Sequence, residues 1–114
     1  MTDKTPKLLV DALGAMDSIA EFLGGVSFVE YAANKMLRSA VERQFEILGE
    51  ACTRLAKLES SWIQSVTHLK LAIDLRNRII HGYDSVDDEI VYFTAKEDLE
   101  GLRADLSALL AQRG

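Results

Sequence analysis

The chain has 114 residues, 48% hydrophobic and 27% charged, with one proline and 13 Lys and Arg against 18 Asp and Glu, a formal charge of −5. One domain spanning residues 1–114 is expected, with a modest core that gains from a partner chain, because a chain this short buries only about 60–70% of its unfolded surface. Disorder is excluded, as are a signal-peptide core at the polar Met1–Pro6 start, an apolar run near the length of a membrane span, and nucleic-acid coating by bulk charge. The expectation is a soluble, cytoplasmic protein with no membrane association. A single cysteine, Cys52, and two histidines leave no intrachain disulfide and too few soft ligands for a zinc cluster.

In chain order, Leu9, Leu13, Met16, Ala20 and Leu23 recur every three or four residues, which predicts a first helix with one apolar face. Pro6 suits its first turn, and Gly24-Gly25 stop it. Ser27 and Glu30 have the spacing of a capping box, so a short helical turn runs from there toward Ala33, and Asn34 is placed to cap the next helix. From Lys35 to about Glu59 the positions Leu37, Ala40, Gln44, Leu48, Ala51, Leu55 and Leu58 predict the longest helix. Gly49 lies in its middle, where glycine costs roughly 1 kcal/mol relative to alanine. It reads either as a tolerated surface glycine or as the point where a second helix, from this chain or another subunit, comes close.

Ser60-Ser61 break the pattern before Trp62. A third helix is expected over much of Ser65 to Gly82, with Leu69, Ile73, Ile79 and Ile80 as core positions. Gly82 ends it, and Ser85-Val86-Asp87-Asp88-Glu89 opens a fourth helix with acids at its positive end. Val91, Ala95, Leu99, Leu102, Leu106 and Leu109 continue that helix as one stripe to the C-terminus. The fold class is therefore all-α, an antiparallel bundle of four main helices plus a short one.

Most charges lie on solvated faces, but Arg76-Asn77-Arg78-Ile79-Ile80-His81-Gly82-Tyr83 packs two guanidiniums, an amide, an imidazole and a phenol into eight residues. Arg76 and His81 are about 140° apart around a helix, so on one chain they flank a site, whereas Asn77 and His81 share a face. Histidine exchanges protons near neutrality, and arginine offers a fork that fits two phosphate oxygens. Together they suit phosphoryl transfer without a metal. The spacing alone also fits residues that pair with the last carbonyls and the dipole of a helix end.

The same run, followed by Ser85-Val86-Asp87 and Glu89-Ile90-Val91, resembles the R-x4-H-x-Y signature of HepT-like proteins in the HEPN superfamily. Arg43-Gln44-Phe45-Glu46-Ile47-Leu48-Gly49-Glu50-Ala51 resembles the family's central helix, and the stretch from Leu23 to Met36 also fits. The similarity covers essentially the whole chain. It implies an all-α, HEPN-like homodimer in which two copies of the motif form one composite site for metal-independent RNA cleavage. Such proteins are toxins of bacterial toxin–antitoxin pairs whose partner, an MntA-type nucleotidyltransferase antitoxin, uses ATP to attach AMP to the motif tyrosine. Carried onto this sequence, Arg76 stabilises the phosphate, His81 is the acid/base, Asn77 orients or polarises, and Tyr83 is the AMPylation site. Arg78 takes no assigned role, and the chain needs no cofactor of its own, since ATP belongs to the partner. Many relatives carry a Pro-Trp pair before the third helix, whereas Trp62 here has no proline before it. The alternative reading is a non-catalytic HEPN module that docks a nucleotidyltransferase and its nucleotide.

Other residues read more simply. His68 fits a surface or cap role, Cys52 a small partly buried apolar position, and Tyr31 and Tyr92 packing with a wet hydroxyl. Glu46 and Glu50, four apart, read as a solvated or salt-bridged face rather than a metal site, since no third carboxylate is placed with them. Charge is uneven: residues 35–81 hold eight Lys and Arg against five Asp and Glu. An acidic total thus permits a small positive site around one scissile phosphate.

Overall fold

Pro6 in the first turn and Gly24 at the C-cap frame helix α1 (Thr5–Leu23), and Gly25, at φ +73°, takes the left-handed turn that glycine permits. The computed structural model describes residues 3–66, 68–82 and 86–113. Ser27 accepts from the Glu30 N–H while Glu30 accepts from the Ser27 N–H, the reciprocal box that starts α2 (Phe28–Ala33). Asn34 then caps α3 (Lys35–Leu58) by accepting from the Leu37 N–H at 3.0 Å. After the single turn α4 (Trp62–Ser65) come α5 (Leu69–His81), α6 (Asp88–Glu97) and α7 (Leu99–Arg113). Among the described residues there is no strand, and no helix is long and apolar enough to cross a membrane.

The buried stripes are rotated slightly from those the spacing predicts. Helix α1 buries Leu9, Ala12, Met16, Ile19 and Leu23, leaving Leu13 half-buried and Ala20 exposed. Helix α3 buries Val41, Phe45, Leu48, Cys52 and Leu55, while Leu58 is exposed. Both helices pack against each other, α5 lies on α3, and α7 lies on α1, so that one continuous core holds the bundle. Phe45, 1% exposed, sits in that core, where truncation to alanine costs about 3–5 kcal/mol.

Two boundaries differ from expectation. The third helix starts at Leu69, because Ser65 belongs to the α4 turn that ends at the extended Val66. The fourth helix is two helices, divided at Asp98 (φ −110°, ψ −23°). The division lets each half serve a different neighbour. On α6, Tyr92 Oη donates to the Val26 carbonyl at 2.5 Å and Lys96 Nζ to the Leu23 carbonyl at 2.8 Å, satisfying oxygens just where α1 ends. Helix α7 instead runs back along α1, with Arg103 paired to Asp17. Asp87 caps α6 through the Glu89 and Ile90 N–H groups, and Asp88 and Glu89 place negative charge at its positive end.

Candidate active site

Helix α5 buries Leu69, Ala72, Leu75 and Ile79, and Arg76, one turn beyond Ala72, lies at the edge of that face with its side chain 26% exposed. What it meets across the interface is Gly49. A Cβ at position 49 would lie 2.1 Å from Arg76 Cβ and 3.1 Å from the Ala72 carbonyl oxygen, so a side chain at 49 has no room. The mid-helix glycine is therefore explained by close approach, and the approaching helix is α5 of the same chain. Thr53 Oγ1 donates to the Gly49 carbonyl at 2.8 Å on the same turn.

This approach puts the Arg76 guanidinium against α3. Its Nη2 donates to Glu50 Oε2 at 3.0 Å, and its Nη1 donates to Asn77 Oδ1 at 3.1 Å. The other oxygen of Glu50 accepts from Arg54 Nε at 3.0 Å, so one carboxylate bridges two arginines. One turn earlier Arg43 pairs with Glu46 at 3.1 Å. The two glutamates thus form a salt-bridged face, as their spacing predicts. These side chains line a surface cleft of about 410 Å³ between α1, α3 and α5, with Ile80 at its α5 side. A guanidinium carries five N–H donors, of which Arg76 uses two among the described residues, leaving enough for the two-point grip a phosphate takes.

His81 ends α5 and is exposed, with the Gly82 N–H bonded back to the Arg78 carbonyl at 2.9 Å. Asn77 and Arg78 are exposed as well. The cleft that Arg76 lines does not include His81 among its described residues, so one chain presents the two groups on separate faces of α5. Tyr83 lies outside the described residues.

Three other residues depart from their expected settings. Tyr31 is fully buried and its hydroxyl has no hydrogen-bond partner among the described residues, so it is not a wet phenol. Burial, then the nearby Glu42 and Asp88 carboxylates, raise its ionisation well above the ordinary phenol range. Tyr92, by contrast, has its hydroxyl at the Val26 carbonyl. His68 occupies the N-cap position of α5 without a side-chain cap bond, and its ring packs on α7: a Cβ at Gly101 would be 2.7 Å from its Cε1, and Asp105 Oδ2 is 3.7 Å from its Nδ1. Cys52 is fully buried, which pushes its thiol up to about 12 and makes it an unreactive packing group. The role sequence reasoning missed is that of Glu50 as the partner of Arg76; its only signal was the glycine beside it.

The family model described as "Ribonuclease HepT-like" matches residues 12–109. Among similar proteins, "Putative RNase MJ0125" of Methanocaldococcus jannaschii is 29% identical over 102 residues, covering 90% of this chain and 87% of that protein. "Putative RNase MJ1380" of the same organism is 30% identical over 98 residues, covering 86% and 89%. "Probable ribonuclease HepT" of Thermococcus cleftensis is 29% identical over 101 residues, covering 89% and 91%. No solved structure matches the chain. With that family model matching most of the sequence, from residue 12 to residue 109, the chain belongs to the HepT-like ribonuclease family.

Proposed function

We propose that this protein is a metal-independent endoribonuclease that acts as a homodimer and serves as the toxin of a toxin–antitoxin pair. The observation that carries the reading is the half-buried Arg76 guanidinium, fixed at two points with donors to spare, on the helix that ends in the exposed His81. In the proposed reaction the ribose 2′-oxygen attacks phosphorus, a P–O2′ bond forms and the bond to the 5′-oxygen of the next nucleotide breaks. Arg76 offsets the negative charge that builds on the phosphoryl oxygens. Histidine takes the 2′-hydroxyl proton or gives one to the departing 5′-oxygen, and the products are a 2′,3′-cyclic phosphate and a free 5′-hydroxyl.

A second copy completes the proposed site. Arg76 and His81 diverge on one α5, and a twofold axis near the helix end brings each histidine toward the groups of the other chain. Exposed Ile90 on α6, which lines one groove with Arg78, Ile79 and Gly82 at the C-terminal end of α5, supplies apolar surface for such a partner to cover.

Control of the activity follows in the same reading. A nucleotidyltransferase of the MntA type attaches AMP from ATP to Tyr83, two residues from His81, and the added bulk and negative charge block the substrate phosphate. The test couples both parts. Purified protein should cut RNA, lose that ability when the nucleotidyltransferase and ATP have raised its intact mass by AMP units, and escape both effects as Tyr83→Phe. Equal labelling of Tyr83→Phe and wild type, or undiminished cutting by labelled protein, would contradict it.

A further inference from the structure

We propose that Glu50 is a positioning residue for RNA cleavage: it holds the Arg76 guanidinium in the orientation that receives the scissile phosphate, acting through Arg76 rather than on the substrate. This rests on the ribonuclease reading above.

The first ground is geometric. Arginine has four side-chain torsions, and an unrestrained guanidinium at a cleft edge samples many placements, each ordering step costing conformational entropy. Here the backbone of α5 is pinned by contact with Gly49, and the tip of the side chain is pinned by Glu50 Oε2 at 3.0 Å and Asn77 Oδ1 at 3.1 Å. Glu50 is itself pinned from the other side by Arg54 Nε at 3.0 Å. The chain Arg54–Glu50–Arg76 fixes the functional group from the neighbouring helix α3, as a precise catalytic site requires.

The second ground is electrostatic. A carboxylate at the rim of a phosphate site repels RNA, so its presence opposes binding unless it contributes something else. Because two of the five Arg76 donors are used among the described residues, the ion pair and a phosphate can be held together. Glu46 provides a matched comparison. It lines the same cleft one turn away and carries the same charge, but its partner is Arg43, not Arg76.

The experiment measures steady-state cleavage of a short single-stranded oligoribonucleotide by wild type, Glu50→Ala, Glu50→Gln and Glu46→Ala. Glu50→Ala should lower kcat by roughly 10- to 100-fold, the cost of a slightly misplaced group, while KM stays level or falls as the repelling charge is removed. Glu50→Gln, which keeps an acceptor oxygen, should recover part of the loss. Glu46→Ala should retain wild-type kcat. In an Arg76→Ala background the Glu50→Ala change should add nothing further. Since the pair is partly exposed, Tm should move by less than about 5 °C, which separates the effect from unfolding. Wild-type or raised kcat in both Glu50 variants, an equal loss in Glu46→Ala, or a further loss without Arg76 would overturn the assignment. Wild type that cuts no RNA would instead overturn the ribonuclease reading. The pairing then stands or falls on nitrogen NMR of the Arg76 guanidinium, where separate, slowly exchanging Nη signals that merge in Glu50→Ala support it and merged signals in wild type refute it.

Discussion

Gly49 and Arg76 meet backbone to side chain across the α3–α5 interface, with room for no Cβ at position 49: one built there would lie 2.1 Å from Arg76 Cβ. Alanine at 49 would gain about 1 kcal/mol of helix propensity. Overpacking at a site this tight costs about 1–3 kcal/mol, and here the obstacle is the root of a side chain on a packed helix, so the upper end applies. Gly49→Ala should therefore lose about 2 kcal/mol of stability in urea denaturation and should also displace Arg76. A variant more stable than wild type would show that the two helices are not so closely packed.

Asp87 holds the start of α6 through two backbone N–H groups, at 2.9 Å from Glu89 and 3.3 Å from Ile90. Asp87→Ala should cost about 1 kcal/mol, and Asp87→Ser should recover most of it. Thermal unfolding of the three proteins checks this, and an unchanged Tm in the alanine variant would contradict it.

Glu42 has its carboxyl pushed above the usual range, first by burial and then by Asp88, with Arg38 opposing. A carboxyl whose folded pKa is raised binds its proton more tightly in the native state, so stability falls as pH rises through its unfolded value toward the folded one. Glu42→Gln should therefore raise Tm at pH 7, and the gain should disappear near pH 4. A loss of stability at pH 7 would mean that the Arg38 interaction outweighs burial.

Cys52 is fully buried with its thiol raised to about 12. At pH 8 an aromatic disulfide reagent should leave the native protein essentially unmodified and react fully once urea unfolds it. Rapid stoichiometric labelling of the native state would contradict the burial.

How far the sequence carried these conclusions varies with the physics. Caps were legible because they use short-range chemistry: Ser27 with Glu30, Asn34, Pro6 and Gly82 sit where their residue types predict. The rotation of the α1 stripe was not, because Ala12, Leu13, Ile19 and Ala20 are all apolar and periodicity alone leaves the edge of a wide apolar face undecided. The division at Asp98 has no proline or glycine to announce it; it follows from α6 reaching the end of α1 while α7 packs along it. At the site, Arg76 and His81 were visible as residue types, and the salt-bridged state of Glu46 and Glu50 followed from their spacing. That Glu50 pairs with Arg76, 26 positions away, is a tertiary fact that no local pattern encodes.

The central claim is that Arg76 and His81 cut RNA without a metal. Purified wild type, Arg76→Ala and His81→Ala, incubated with single-stranded RNA in EDTA and the products resolved by end-group analysis, test it most directly. Wild type should leave 2′,3′-cyclic phosphate ends in the chelator, His81→Ala should be inactive, and Arg76→Ala should be severely slowed. Strict dependence on Mg²⁺, or wild-type cutting by His81→Ala, would contradict it.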